Sequence, residues 1–522
     1  MPEQRRSRVA KRRHGELARR FPDIDLEMPS PGNRGGFVSS PIPEKAAKKM
    51  SDDQWLSAMR TYPESMPSPG TKPGDILKGG SSELSRQLEA ETKQDKSRFA
   101  ALALRMEADI NLIYFNAILR GLVASDESQN NQATEKTKIQ PVETSAAAEV
   151  VRHVYGLFGT KAGVWISHAI EHLAERELPS DLLDIVAIIA RDAPDPEREV
   201  WQRRGASGRV FYDGDPLSRG INTARGGAAH AIACLLFSDD HRFDRLRPAV
   251  ESVVSDSSLA VRACAIECVL AMLNFKRELA VELFLRSVHE ANPILGTIFV
   301  ERFLYYAVFS HYEALRTLLL KMLESSDEDV RQTAAQQIAV GSFCSDEAIV
   351  DLRGVLTGDE VCRAAVARVD AENLHLQECA ALSRARLKRF FSDAAAKVHK
   401  EAARCFMLIT DEQLCQELEL INAFIQSPAF ESNVNMLLTQ LEKSVARLPD
   451  VVCRVPERAV ELHRSASNNK ARWWTSKIAT LVLRFYEQTT DAAIKERCLD
   501  VIDNMIELDF GMVGRELARL EN

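Results

Sequence analysis

"LRPAVESVVSDSSLAVRACAIECVLAML", residues 246–273, decides the fold. Apolar residues return at Leu246, Val250, Val253 and Val254, and beyond an Asp-containing turn at Val261, Ala265, Val269 and Met272. That spacing keeps one face of an α-helix apolar, so the stretch reads as two helices joined by a short turn. The pattern returns in "LRTLLLKMLESSDEDVRQTAAQQIAV" (315–340): helix, acidic turn, Val-Arg, small-residue helix. Weaker copies are "INTARGGAAHAIACLL" (221–236), "GDEVCRAAVARV" (358–369) and "FSDAAAKVHKEAARCF" (391–406). Anchored on Arg225, Arg262, Arg331, Arg363 and His399, the intervals are 37, 69, 32 and 36, so the long one predicts a degenerate unit near residue 297. Such a period belongs to helical-pair repeats.

The motif has a physical logic. The turn acid accepts a backbone N–H and caps the second helix. The Arg one step into that helix can reach the turn acid of the neighbouring repeat, so Asp256, Arg262, Asp327 and Arg331 are expected to form a ladder. His399 replaces the Arg and should weaken it. One helical pair cannot bury its own apolar face, and stacked neighbours complete the core. The expected fold class is all-α, a HEAT/armadillo-like α-solenoid over 146–522, with Val261, Val330 and Val398 facing its core.

Upstream the character differs. Residues 1–124 read as an irregular Pro/Gly-rich region with a basic start, a helix opened by the capping box Ser51-Asp52-Asp53-Gln54, and helices over 82–93 and 97–123. Residues 125–145 are polar and aperiodic, a flexible linker.

The 522-residue chain carries a net charge of −8, with +6 in residues 1–20 and −14 in the remainder. An acidic body opposes a wide nucleic-acid surface. The N-terminus lacks a signal peptide's apolar core, and the longest apolar run, Ile294 to Phe309, is broken by Glu301 and Arg302. All ten cysteines lie from Cys234 onward without a CxxC pair, as reduced core residues do. A cytoplasmic protein with no membrane association is expected.

Three constellations merit weighing. The stretch 195–220 is the longest irregular insertion in the array; Arg209, Tyr212 and Arg219 supply residue types that dominate partner binding, and Asp213 and Asp215 add a second charge sign for specificity. Asn222 follows as a candidate helix N-cap. His168-Ala169-Ile170-Glu171-His172 matches HxxEH, with Glu251 downstream, but residues some eighty positions apart in a solenoid belong to different repeats. It reads as a helix surface with two ordinary histidines, so no catalytic residue, metal or cofactor is expected. The basic clusters 384–389 (RARLKR) and 464–474 (RSASNNKARWW) could touch phosphate, with Trp473-Trp474 stacking on a base. Solvated helix faces and core aromatics explain them better.

Read as text, "SPIPEKAAKKMSDDQWLSAM" (40–59), "DGDPLSRGINTARGGAAHAIACLLF" (213–237), "VERFLYYAV" (300–308), "INAFIQSPAF" (421–430) and "RCLDVIDNMIELDFG" (497–511) carry a resemblance. They resemble the C-terminal helical-repeat region of large bacterial NACHT/STAND-type ATP-binding proteins, some associated with defence against phage. No Walker A or Walker B motif occurs here. The resemblance therefore implies a non-catalytic scaffold or sensor without the NTPase domain. Its partner would be a protein, an NTPase or effector subunit; a HEAT-like nucleic-acid-binding protein is the alternative.

Overall fold

The computed structural model describes residues 39–64, 79–124, 143–194, 214–444, 448–465 and 474–508. Among them every regular element is helical, and no helix is long and apolar enough to cross a membrane. The chain divides into two compact units, 1–153 and 154–522.

The first unit holds α1 (Glu44–Ala47), α2 (Asp52–Thr61), α3 (Ser81–Gln94), α4 (Lys96–Leu104) and α5 (Leu112–Val123). Ser51 and Gln54 form the expected reciprocal capping box, and Trp55, Leu56 and Met59 of α2 are buried. The continuous helix expected over 97–123 is instead two. Asn111 accepts a hydrogen bond from the Ile113 N–H and starts α5 afresh. Met106 and Ile110 in the break are buried, which keeps the apolar pattern running through it. Helix α6 (Thr144–Phe158) spans the division between the units.

The second unit continues with α7 (Gly163–His172), α8 (Ser180–Asp192), α9 (Pro216–Ile221), α10 (Ala224–Ser238), α11 (Phe243–Val254), α12 (Leu259–Met272) and α13 (Arg277–Val288). Then come the long α14 (Ile298–Leu323), α15 (Glu328–Gly341), α16 (Asp346–Val355), α17 (Glu360–Asn373) and α18 (Gln377–Phe390). The run ends with α19 (Ala396–Ala403), α20 (Cys405–Leu408), α21 (Asp411–Gln416), α22 (Leu418–Gln426), α23 (Ala429–Ser444), α24 (Pro449–Ser465), α25 (Thr475–Gln488) and α26 (Ala492–Glu507).

Packing follows every second helix. One layer stacks α7, α10, α12, α14, α15, α17, α19, α23 and α25 in order; in the other, α8 meets α11, α11 meets α13, and α18, α22, α24 and α26 follow one another. This is an α-solenoid of HEAT/armadillo-like pairs. Val261, Val330 and Val398 are all buried in its core. Small residues set the spacing: a Cβ on Gly220 would lie 2.2 Å from the Ala260 carbonyl oxygen, so α9 can rest on α12 only with hydrogen there.

The degenerate unit expected near 297 is α14. Thr297 precedes it, and at His311 the backbone leaves helical geometry (φ −133°, ψ 29°), so one long element serves where two helices stand elsewhere. Its first half buries Phe299, Val300, Phe303 and Leu304, with Phe303 stacked on Phe284 at 4.0 Å between ring centroids.

Candidate functional site

Between repeats the ladder is built from different pairs than its four expected residues imply. Arg225 on α10 reaches Asp256 at 3.0 Å, Arg331 on α15 reaches Asp359 at 2.9 Å, and Arg363 on α17 reaches Asp393 at 2.8 Å. Arg262 breaks the series: it donates to the His289 carbonyl at 3.3 Å, because the next turn offers Glu290-Ala291-Asn292 instead of an aspartate facing it. The following step fails for the complementary reason. After the buried Val300 stands Glu301, where four other repeats carry Arg and one His, and Asp327 accepts from the Asp329 N–H of its own helix. Asp256 likewise accepts from the Ser258 N–H, so it serves cap and ladder together, although Ser258 is the N-cap residue. His399 turns back to the Asp393 carbonyl at 2.6 Å and crosses to no neighbour.

The insertion 195–220 divides. Arg209, Tyr212 and Asp213 lie outside the described residues. Asp215 is the N-cap of α9, accepting from the Leu217 and Ser218 N–H groups, and Arg219 stands on that helix. The irregular segment thus ends at Asp215 rather than at 220, since Asp-Pro is a strong helix start. Asn222 is not the N-cap of α10. That role falls to Thr223, which accepts from the Gly226 N–H, while Asn222 donates to the Ser218 carbonyl.

The basic cluster 384–389 is largely neutralised within the fold. Arg384 pairs with Glu417, Lys388 with Glu419, and Arg386 with Asp370. A small pocket of about 220 Å³ joins Arg363, Arg386 and Arg389, but the first two already hold carboxylates. Trp474 is buried, its indole N–H donating to the Glu431 carbonyl, so it packs as core.

Two features remain that composition did not single out. The first is on α14, where Tyr305, Tyr306 and Phe309 stand 42%, 53% and 49% exposed and Tyr305 meets each of the other two edge-to-face, with Ile298 also exposed. Arg277 of α13 braces this segment by donating to the Tyr306 carbonyl and the Ser310 hydroxyl.

The second gathers around Glu171. On α7, His168 Nδ1 lies 3.4 Å from one Glu171 oxygen; from α10, His230 Nε2 lies 3.4 Å from the other. Cys234, one turn beyond His230, brings its sulfur into the same group, with the Glu171, His230 and Cys234 ligand atoms within 4.8 Å of one another. Glu267 on α12 contacts His230 Nδ1 from the opposite side. Burial works to raise the Glu171 carboxyl, but the His168 and His230 rings overcome it and hold it at about 2. Glu171 and Glu267 together raise His230 to about 10. Burial and the same two carboxylates push the Cys234 thiol up to about 12. Glu251, the downstream acid of the HxxEH reading, pairs with Arg247 on its own helix. The signal missed in the sequence was His230-xxx-Cys234, an i, i+4 pair on one helix face.

No known protein family and no curated protein matches the chain. Solved structures do. An engineered protein, Northeast Structural Genomics Consortium target OR497, is 14% identical with a TM-score of 0.27, over 88% of this chain and 98% of its own. Kap121p is 10% identical with a TM-score of 0.38, over 89% of this chain and 55% of its own. The Pds5–Scc1 complex supplies a chain 12% identical, TM-score 0.34, over 91% of this chain and 76% of its own. The chain thus spans about half the length of Kap121p.

Proposed function

We propose that the chain is a non-catalytic protein-interaction scaffold whose partner docks on the α14 face. The observation that carries the reading is the contiguous aromatic cluster of Tyr305, Tyr306 and Phe309, exposed on a braced helix. Scattered exposed apolar residues need no explanation, but neighbouring aromatics on a rigid element are the usual anchors of protein interfaces. Two tyrosines also bring hydroxyls that tolerate water when the face is free. A stacked array holds such a face preorganised, which lowers the cost of binding.

The finer reading, an NTPase or effector subunit as partner in a bacterial defence system, is supported by the sequence resemblance alone. Arg209, Tyr212 and Arg219 of the 195–220 insertion belong to that reading as a second contact.

A photo-crosslinking residue at Tyr306 tests the reading in the native cell. We expect one dominant protein adduct, absent when the crosslinker sits at exposed Glu282 on the preceding helix and lost in Tyr305→Ser/Phe309→Ser. An ATP-binding protein in that adduct supports the finer reading. Equal labelling from both positions, or none, overturns the scaffold reading at this face.

A further inference from the structure

We propose that Glu171, His230 and Cys234 form a zinc site that staples α7 to α10, with Glu267 as its outer carboxylate. This departs from the expectation of no metal, and it does not rest on the scaffold reading. The HxxEH pattern is not itself the site. His172 lies on the exposed side of α7, and Glu171 instead faces the next repeat, where the sequence supplies an imidazole and a thiol one turn apart.

Four observations converge. The donor set is one that zinc takes: one imidazole, one thiolate and one carboxylate, with the fourth position left to water. Their charges sum to −2 when the thiol is ionised and the ring is neutral, which balances one dication. The spacing fits as well. Ligand bonds of about 2.0–2.1 Å in a tetrahedral site set neighbouring N and O ligand atoms about 3.3–3.4 Å apart. The His230–Glu171 separation is 3.4 Å, longer than a well-formed N–H···O bond, and the Cys234 sulfur lies within 4.8 Å of both donor atoms.

The second shell is in place. His230 turns Nε2 toward the cluster and Nδ1 toward Glu267. A metal-bound histidine ordinarily donates its remaining N–H to such a carboxylate, which fixes the tautomer and strengthens the ligand. Finally, access and rigidity are both provided. The side chains of Glu171 and His230 are 25% and 22% exposed, so an ion can enter, and Glu171, His230, Cys234 and Glu267 sit on three consecutively stacked helices. With three protein ligands one position is left to water, and the ion joins two helices. Binding replaces the Cys234 S–H bond by a sulfur–metal bond and releases that proton to solvent.

The test uses the full chain, stripped with a chelator and titrated with Co²⁺, then with Zn²⁺. We expect one Co²⁺ per chain, four-coordinate d–d bands, a thiolate-to-cobalt charge-transfer band, and bleaching of both by Zn²⁺. Cys234→Ser should abolish the charge-transfer band, and Glu267→Gln should weaken binding about 10–100-fold as an outer-shell change. His172→Ala should leave the titration unchanged. Circular dichroism checks that each variant is folded. X-ray absorption on the zinc-loaded wild type gives a readout independent of any variant, and one sulfur scatterer is expected. An all-nitrogen/oxygen shell overturns the proposal. So does a cobalt spectrum that survives Cys234→Ser but is lost in His172→Ala, which would put the ion on the exposed His168–His172 pair.

Discussion

Asp370 sits on α17 with no solvent exposure, and its partner is the Arg386 guanidinium 3.2 Å away on α18. That guanidinium also donates to the Ser342 hydroxyl at the end of α15 and lies over the Phe343 ring. One cation therefore ties three helices through a carboxylate that burial pushes up to about 7, against the pull of Arg386. Burial outweighs both Arg386 and the nearby Ser383 hydroxyl, which favour the ionised form. The folded chain holds the Asp370 proton more tightly than the unfolded chain, whose carboxyl titrates near 3.8. Its contribution to stability is therefore complete below that value and is lost as pH rises to about 7. The loss should be on the order of 2–4 kcal/mol, and Asp370→Asn should flatten it. Urea unfolding at several pH values between 4 and 8 checks this; an unchanged slope in the variant refutes it. Nothing local in the sequence announces this, because "ARVDAEN" looks like a solvated helix end and the burying partner is sixteen residues away.

Between elements, the Arg225–Asp256 pair is the best-buried rung of the ladder, with side chains 10% and 6% exposed. Removing one member of such a pair leaves an uncompensated buried charge, a loss of about 3–5 kcal/mol. Asp256→Ala should therefore cost well beyond the roughly 1 kcal/mol of a lost cap. A double-mutant cycle with Arg225→Ala should return a coupling of at least about 1 kcal/mol, whereas Asp256 with Arg262→Ala should be close to additive. Chemical denaturation of the four variants measures both, and the reverse ranking would mean that Asp256 serves its own repeat. Which Arg meets which Asp was half legible. The recurring Val-Arg after an acidic turn announced the ladder, and Val261, Val330 and Val398 fell where the period put them. The pairing itself depends on what the next turn offers, and at Arg262 that turn is supplied by the unit whose repeat text had decayed. The Glu171 cluster was hidden for the same reason: its partners come from α10 and α12, and no local spacing relates them to HxxEH.

Over the whole array, cohesion is a sum of nearest-neighbour interfaces, so a weak junction sets where it opens first. Rungs join α10 to the turn before α12, α15 to the turn before α17, and α17 to the turn before α19. The two rungs between Arg262 and Asp327 are missing, and there α14 also leaves helical geometry at His311. In place of the rungs this junction has the Phe284–Phe303 stack and the Arg277 hydrogen bonds to the Tyr306 carbonyl and the Ser310 hydroxyl. The array should consequently open as two blocks, 163–288 and 328–508. Hydrogen exchange under rising denaturant should give α10 and α12 one shared isotherm and α15 and α17 another. Phe303→Ala should separate the two further, since deleting a buried phenyl ring costs about 3–5 kcal/mol. A single isotherm for all four helices, in wild type and variant alike, would show that the missing rungs do not matter. The exposed Tyr305, Tyr306 and Phe309 lie on this same junction. A partner seated on them and on both flanking blocks would supply the coupling that the ladder lacks, so its binding should merge the two isotherms into one.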